Sequence, residues 1–185
     1  MPIRTFIALE LPPELRETLL TSLNKWQKAY PDGINWVRPE NLHLTLLFLG
    51  DTPEDRIPEL KDCLNSLAKE QRAFELSANG FELFPPKQIR MIWAQLTAPN
   101  REIQKFNRRL LFETLNLHLE PDPKELRLHI TMGRIKRSQS PVFEREILSE
   151  PFSSPLSRFD TLSLYQSILR PEGPQYSLLE QLQLT

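Results

Sequence analysis

Two short stretches of this chain set a histidine and a threonine two residues apart inside otherwise apolar runs. The first is Asn41-Leu42-His43-Leu44-Thr45-Leu46-Leu47-Phe48-Leu49-Gly50, and the second is Arg127-Leu128-His129-Ile130-Thr131-Met132-Gly133-Arg134. Side chains alternate across a β-strand, so residues i and i+2 share a face, roughly 6.6 Å apart along the chain. If each run is a strand closed by its glycine, His43 and Thr45 point one way, and so do His129 and Thr131. Two such strands side by side direct two imidazoles and two hydroxyls at one spot. Imidazole changes charge near neutral pH and serves as acid or base. Hydroxyls donate hydrogen bonds to phosphate oxygens. The set suits holding and cleaving a phosphodiester.

Other uses of these residues fit less well. Polar groups on a buried face without partners are costly, which favours convergence on one shared site over two unrelated structural roles. A metal centre needs a third and usually a fourth ligand. Asn41 and Thr45 flank His43, Arg127 and Thr131 flank His129, and no carboxylate stands at these positions. An arginine beside the site favours an anion over a cation, so neither a metal nor another cofactor is expected. Nucleophilic catalysis needs an activated Ser or Cys. Cys63, the single cysteine, lies on an apolar helical face and reads as core. The third histidine, His118, falls in a polar loop with no such context.

The elements that must position the two motifs follow from hydrophobic period and turn residues. Residues 4–11 read as a strand stopped by Pro12-Pro13, and residues 14–30 as a helix, because Leu15, Leu19, Leu23 and Trp26 recur at helical spacing. A short extended piece at Asn35-Trp36-Val37 leads to the first motif strand, which ends at Gly50. Thr52-Pro53 opens a helical region with Leu60, Cys63, Leu64 and Leu67 on its buried face. Residues 74–84 read as extended with a break near Asn79-Gly80, and residues 89–96 as a strand. Asn100 caps a helix reaching about residue 115, with Ile103, Phe106 and Leu110 inward. Residues 116–126 are irregular, and the second motif strand spans 126–135. A short helix at 140–148 precedes strands at 159–169 and 175–184, joined by a hairpin at Pro171-Glu172-Gly173-Pro174. The His-x-Thr strand is the one internal repeat, so a single unit of residues 1–185 with two pseudo-symmetric lobes is expected.

With 39% hydrophobic and 25% charged residues, the 185-residue chain is globular rather than disordered. No apolar run nears the roughly 18 residues of a membrane span, and the N-terminus lacks a signal-peptide core, so the cytoplasm is the simplest compartment. The net charge of −1 means that an acidic partner must be attracted by a local patch. A monomer is expected.

The motifs and their flanks resemble the RNA 2′,3′-cyclic phosphodiesterases, long called 2′-5′ RNA ligases, of the two-histidine phosphoesterase superfamily. The resemblance runs from Phe6-Ile7-Ala8-Leu9-Glu10-Leu11-Pro12 and Trp36-Val37 through both motifs to Leu164-Tyr165-Gln166-Ser167 and Gly173-Pro174-Gln175-Tyr176. Met132 stands where the family usually has leucine. The resemblance implies an α+β fold of two lobes, each an antiparallel sheet with helices outside, and a site in the central cleft. It implies metal-independent hydrolysis of a 2′,3′-cyclic phosphate on RNA or a nucleoside, leaving a 2′-phosphomonoester. His43 is then the acid at O3′ and His129 the base for water, with Thr45, Thr131 and Arg134 on the phosphate. From the residues alone, acid and base are interchangeable. Phe48 stacks on the terminal base or packs in the core. The basic run Arg134, Lys136 and Arg137 tracks RNA phosphates or is a solvated surface. The alternatives on the same fold are RNA end joining and a non-catalytic nucleotide or RNA binder.

Overall fold

The computed structural model describes residues 1–170 and 173–185, so Pro171 and Glu172 of the expected hairpin turn lie outside the described residues. Among the described residues, β1 (Pro2–Glu10), β3 (His43–Pro53), β8 (Thr161–Arg170) and β9 (Gly173–Gln183) form an antiparallel sheet ordered β3-β1-β8-β9. A second antiparallel sheet runs β2-β6-β5-β4-β7, from β2 (Ile34–Trp36), β4 (Phe74–Phe84), β5 (Met91–Thr97), β6 (His129–Ile135) and β7 (Ser157–Phe159). Each His-x-Thr motif opens a strand, β3 in one sheet and β6 in the other. The orders correspond strand for strand, β3-β1-β8-β9 against β6-β5-β4-β7, with β2 added outside β6. This is the expected α+β architecture of two related antiparallel lobes. The lobes are interleaved along the chain, because the C-terminal hairpin β8–β9 pairs with β1.

The helices cross between lobes. α1 (Pro13–Ala29) buries Leu15, Leu19, Leu23 and Trp26, the stripe that its spacing predicts. It follows β1 of the first sheet, yet Trp26 packs edge-on against Phe81 of β4 at 4.5 Å. α4 (Pro141–Ser149) also meets β4, and its N-cap Ser140 accepts a hydrogen bond from the Phe143 amide. α2 (Ile57–Glu70) meets β9, and α3 (Glu102–Asn116) meets β3. Each sheet is thus backed by two helices, one of which begins in the other lobe.

The element boundaries depart from the sequence reading at informative places. The first motif strand does not stop at its glycine. β3 continues to Pro53 because Gly50 takes φ +67, a backbone that glycine adopts without Cβ strain, and pairing with β1 resumes beyond it. A 3-10 turn at Glu54–Arg56 then precedes α2, so Thr52-Pro53 belongs to the strand. β6 begins at His129 rather than 126 and runs through Gly133 to Ile135. A Cβ at Gly133 would lie 3.1 Å from both Ile34 and Trp36, so the glycine lets β2 pack closely. Arg101, not Asn100, is the N-cap of α3, although Asn100 Oδ1 accepts from the Glu102 amide at 3.0 Å. The predicted strand at 159–169 divides at Asp160 into β7, which pairs with β4, and β8.

Of the three bulges in the motif strands, one at Leu49 and two nearer the histidines, the latter two set which side chains face the site. In β3, Ile7 faces Leu47 and Ala8 faces Thr45, leaving Leu46 as the extra residue. In β6, Ile92 faces Gly133 and Trp93 faces Thr131, leaving Met132 extra. A bulge resets side-chain alternation, so the fifth residue after each histidine returns to the histidine's face. Those residues are Phe48 and Arg134. The Leu46 carbonyl, freed by its bulge, accepts a 2.7 Å hydrogen bond from the buried Asn107 amide of α3. Asn107→Leu leaves that carbonyl without this partner, and a loss of about 1–3 kcal/mol is expected. Urea unfolding measures it; an unchanged midpoint would show that the bulge needs no support.

Candidate active site

β3 and β6 approach one another, and their motif faces line one cleft of about 890 Å³. His43, Thr45 and Phe48 come from one strand, and His129, Thr131 and Arg134 from the other. All six expected site residues are therefore brought together. Phe48 is 46% exposed, which rules out the core-packing role. His118 follows Leu117, the C-cap of α3, with φ +57 and does not line the cleft. Lys136 and Arg137 do not line it either. Their amides bond the Gly33 carbonyl past the paired part of β6. A smaller hollow of about 490 Å³ beside Arg72, Phe74 and Asn100 contains no histidine.

The two imidazoles are held in the same way. His43 Nδ1 lies 2.7 Å from the Asn41 carbonyl, and His129 Nδ1 lies 2.8 Å from the Arg127 carbonyl. Each carbonyl accepts, so each Nδ1 carries a proton. The neutral ring then presents Nε2 as an acceptor, and the charged ring presents it as a donor. Thr45 Oγ1 sits 2.9 Å from Nε2 of His43. Burial pushes the His43 pKa down to about 4, against the upward pull of the Asn41 carbonyl and of Glu10. Burial also lowers the pKa of His129, and the nearby Arg127 and Arg134 add to that.

Comparisons with known proteins bear on these features. The family model described as LigT like Phosphoesterase matches residues 9–93. An RNA 2′,3′-cyclic phosphodiesterase of Archaeoglobus fulgidus is 30% identical over 177 residues, covering 94% of this chain and 96% of that protein. One from Thermotoga maritima is 30% identical over 182 residues, covering 98% and 95%. The chain belongs to the RNA 2′,3′-cyclic phosphodiesterase family. A crystal structure of a Thermus thermophilus protein superimposes with TM-score 0.80 at 28% identity over 98% of both chains. Escherichia coli LigT shares the fold, with TM-score 0.73 at 22% identity.

In this cyclic phosphodiesterase family member, aromatic rings that the sequence reading did not assign to the site enclose both histidines. Phe6 stacks on His43 at 5.0 Å, and Tyr176 meets it edge-on at 5.4 Å. Tyr165 stacks behind Phe6 and donates to Glu10 at 2.5 Å. Trp93 lies flat on His129 at 3.8 Å. Phe6 and Trp93 sit on the strands that pair with the motif strands, so only strand pairing reveals them. The cleft is also basic. Arg4, Arg38, Lys124, Arg127, Arg134 and Arg170 line it against Asp122 and Glu125. A chain of net charge −1 thus concentrates positive charge where an anion would sit. Among the described residues, no group of three or more His, Cys, Asp or Glu side chains is placed to hold a metal ion. Among the described residues, no helix is long and apolar enough to cross a membrane.

Proposed function

We propose that the chain hydrolyses 2′,3′-cyclic phosphates on RNA ends and nucleosides to 2′-phosphomonoesters by histidine acid–base chemistry. One observation carries this reading: two imidazoles in one basic cleft, each with Nδ1 tied to a carbonyl, so that Nε2, which in His43 lies 2.9 Å from Thr45 Oγ1, is the nitrogen for proton transfer. The family relatives named for this reaction support it. His129 Nε2 takes a proton from water as the water oxygen bonds to phosphorus. The bond from phosphorus to O3′ breaks, and His43 Nε2 gives its proton to O3′. Thr45 and Thr131 donate to the non-bridging oxygens, and Arg134 offsets the charge that builds on them. Phe48 stacks on the terminal base, a contact that tolerates any base because each has a π-face. Water far outnumbers any second RNA end, so hydrolysis prevails over end joining. In this reading the working unit is a monomer whose residues 1–185 act as one bilobal domain.

The donor set of two histidines and an arginine calls for no metal. Turnover of adenosine 2′,3′-cyclic phosphate in excess EDTA tests the reading, with 2′-AMP as the expected product. Activity abolished by EDTA and restored by zinc or manganese would overturn the acid–base roles, and a 3′-phosphate product would reverse which bond breaks.

The same roles set a pH dependence. His43 must be protonated and His129 neutral, so the rate follows a bell whose limbs belong to the pair. Both pKa values lie below the ordinary histidine value. The profile of kcat/KM, which reports the free enzyme, should therefore peak below about pH 6.5. Bound phosphate favours both imidazolium forms and raises their pKa values, so the kcat profile should lie at higher pH. Coincident optima would show that the bound phosphate does not act on these rings.

A further inference from the structure

The cleft wall beyond His129 ends in a cation that is propped in place. The Arg127 guanidinium lies over the Phe84 ring, 4.7 Å from its centre. Phe84 stacks on Trp93 at 4.0 Å with 13° between the planes, and Trp93 stacks on His129 at 3.8 Å. These four groups make one ladder, with a reacting imidazole at one end and a guanidinium at the other. Among the described residues the Arg127 side chain makes no ion pair or hydrogen bond, whereas Arg16, Arg56, Arg109 and Arg158 are all paired with carboxylates. Its neighbour Lys124 already neutralises Asp122 at 2.8 Å. A guanidinium resting on a ring keeps its N–H edge open, and that planar fork matches two phosphate oxygens.

Position decides which phosphate. Trp93 and Phe84 stand between Arg127 and His129, so the guanidinium lies off the reacting phosphorus. Arg134, on the motif face itself, is the cation placed for that atom. The cleft, at about 890 Å³, is near the top of the roughly 300–1,000 Å³ range of small-ligand pockets. It has room beyond one terminal nucleotide.

We propose that Arg127, propped by Phe84, binds the phosphodiester that joins the terminal nucleotide to the one before it. The site is then built for an RNA end rather than for a free nucleoside cyclic phosphate. This rests on the reading that His43 and His129 act on the cyclic phosphate.

The test compares adenosine 2′,3′-cyclic phosphate with the dinucleotide ApA carrying the same cyclic end. Wild-type kcat/KM should favour the dinucleotide by about 10-fold or more, the equivalent of one good charged contact. Added salt should reduce that preference. Arg127→Met keeps an unbranched stem against Phe84 and removes the charge, so the preference should fall towards unity. Arg127→Lys should restore only part of it, because it lacks the fork. Replacing Lys136 and Arg137 by alanine, away from the cleft, should leave the preference intact. Equal wild-type kcat/KM on both substrates would overturn the proposal, as would Arg127→Met slowing both equally. The subsite can also be read without turnover, by calorimetric binding of ApA 2′-phosphate against adenosine 2′-phosphate. If neither cyclic substrate is cleaved, the catalytic reading falls. A dinucleotide binding preference lost in Arg127→Met still supports the subsite, and equal affinities overturn it.

Discussion

Replacing His129 with alanine is expected to lower kcat on a nucleoside 2′,3′-cyclic phosphate by about 10²–10⁴-fold, and a better leaving group should not restore it. Replacing His43 should cost a similar factor, but there a better leaving group should help. The two results differ because the proposed mechanism has the histidines act on different oxygens. A substrate with sulfur in place of O3′ departs as a thiolate that needs no proton, so it bypasses the acid and still needs the base. Both effects must be separated from damage to the fold. His43 packs against Phe6 and Tyr176, so alanine there leaves a gap in an aromatic cluster. His43→Gln fills more of that gap without supplying an acid, and should be as slow as His43→Ala on the natural substrate. Rescue of His129→Ala but not His43→Ala would exchange the two roles. Near-normal turnover in either alanine variant would sink the two-histidine mechanism.

The residues of the proposed mechanism were legible as one face of each strand because strand alternation is a local property. His43 with Thr45, and His129 with Thr131, needed only a period of two to share a face. The helix stripes of Leu15, Leu19, Leu23 and Trp26, and of Ile103, Phe106 and Leu110, were legible for the same kind of reason. What could not be read depends on pairing between distant segments. Trp93 reaches His129 only because β5 lies beside β6, and Phe6 reaches His43 only because β1 lies beside β3. The bulges at Leu46 and Met132 have no marker in the sequence, since an extra residue in one strand is defined by its partner. Without them, Phe48 and Arg134, each at an odd spacing from its histidine, would face away from the site. The basic run divides for a related reason: Lys136 and Arg137 adjoin Arg134 in sequence, but their amides bond Gly33, and of the three only Arg134 lines the cleft. The cations that do line it, Arg4, Arg38 and Arg170 among them, are scattered along the chain.

Arg134 carries the second large expectation. It is exposed at the cleft, and among the described residues its one side-chain hydrogen bond is a weak contact to the Met91 sulfur at 3.7 Å. Its charge is therefore available to oxygens on which negative charge grows during attack. Loss of one such donor lowers kcat by about 10²–10³-fold in comparable sites. Arg134→Met should show a fall of that size, with a smaller change in KM, and Arg134→Lys should recover part of it. A rise in KM alone, with kcat unchanged, would mean that the arginine binds ground state and transition state equally. Aim is as important as charge, and the structure offers a way to change aim alone. Gly133 sits after the Met132 bulge, where an added Cβ would press on Ile34, Trp36 and Ile92 at 3.1–3.3 Å. Gly133→Ala must shift this segment by a few tenths of an ångström while leaving the guanidinium present. If catalysis uses a preorganised charge, this variant should lose kcat with its affinity for product nearly kept. If Gly133→Ala matches wild type while Arg134→Met is slow, the arginine acts by charge without fixed geometry.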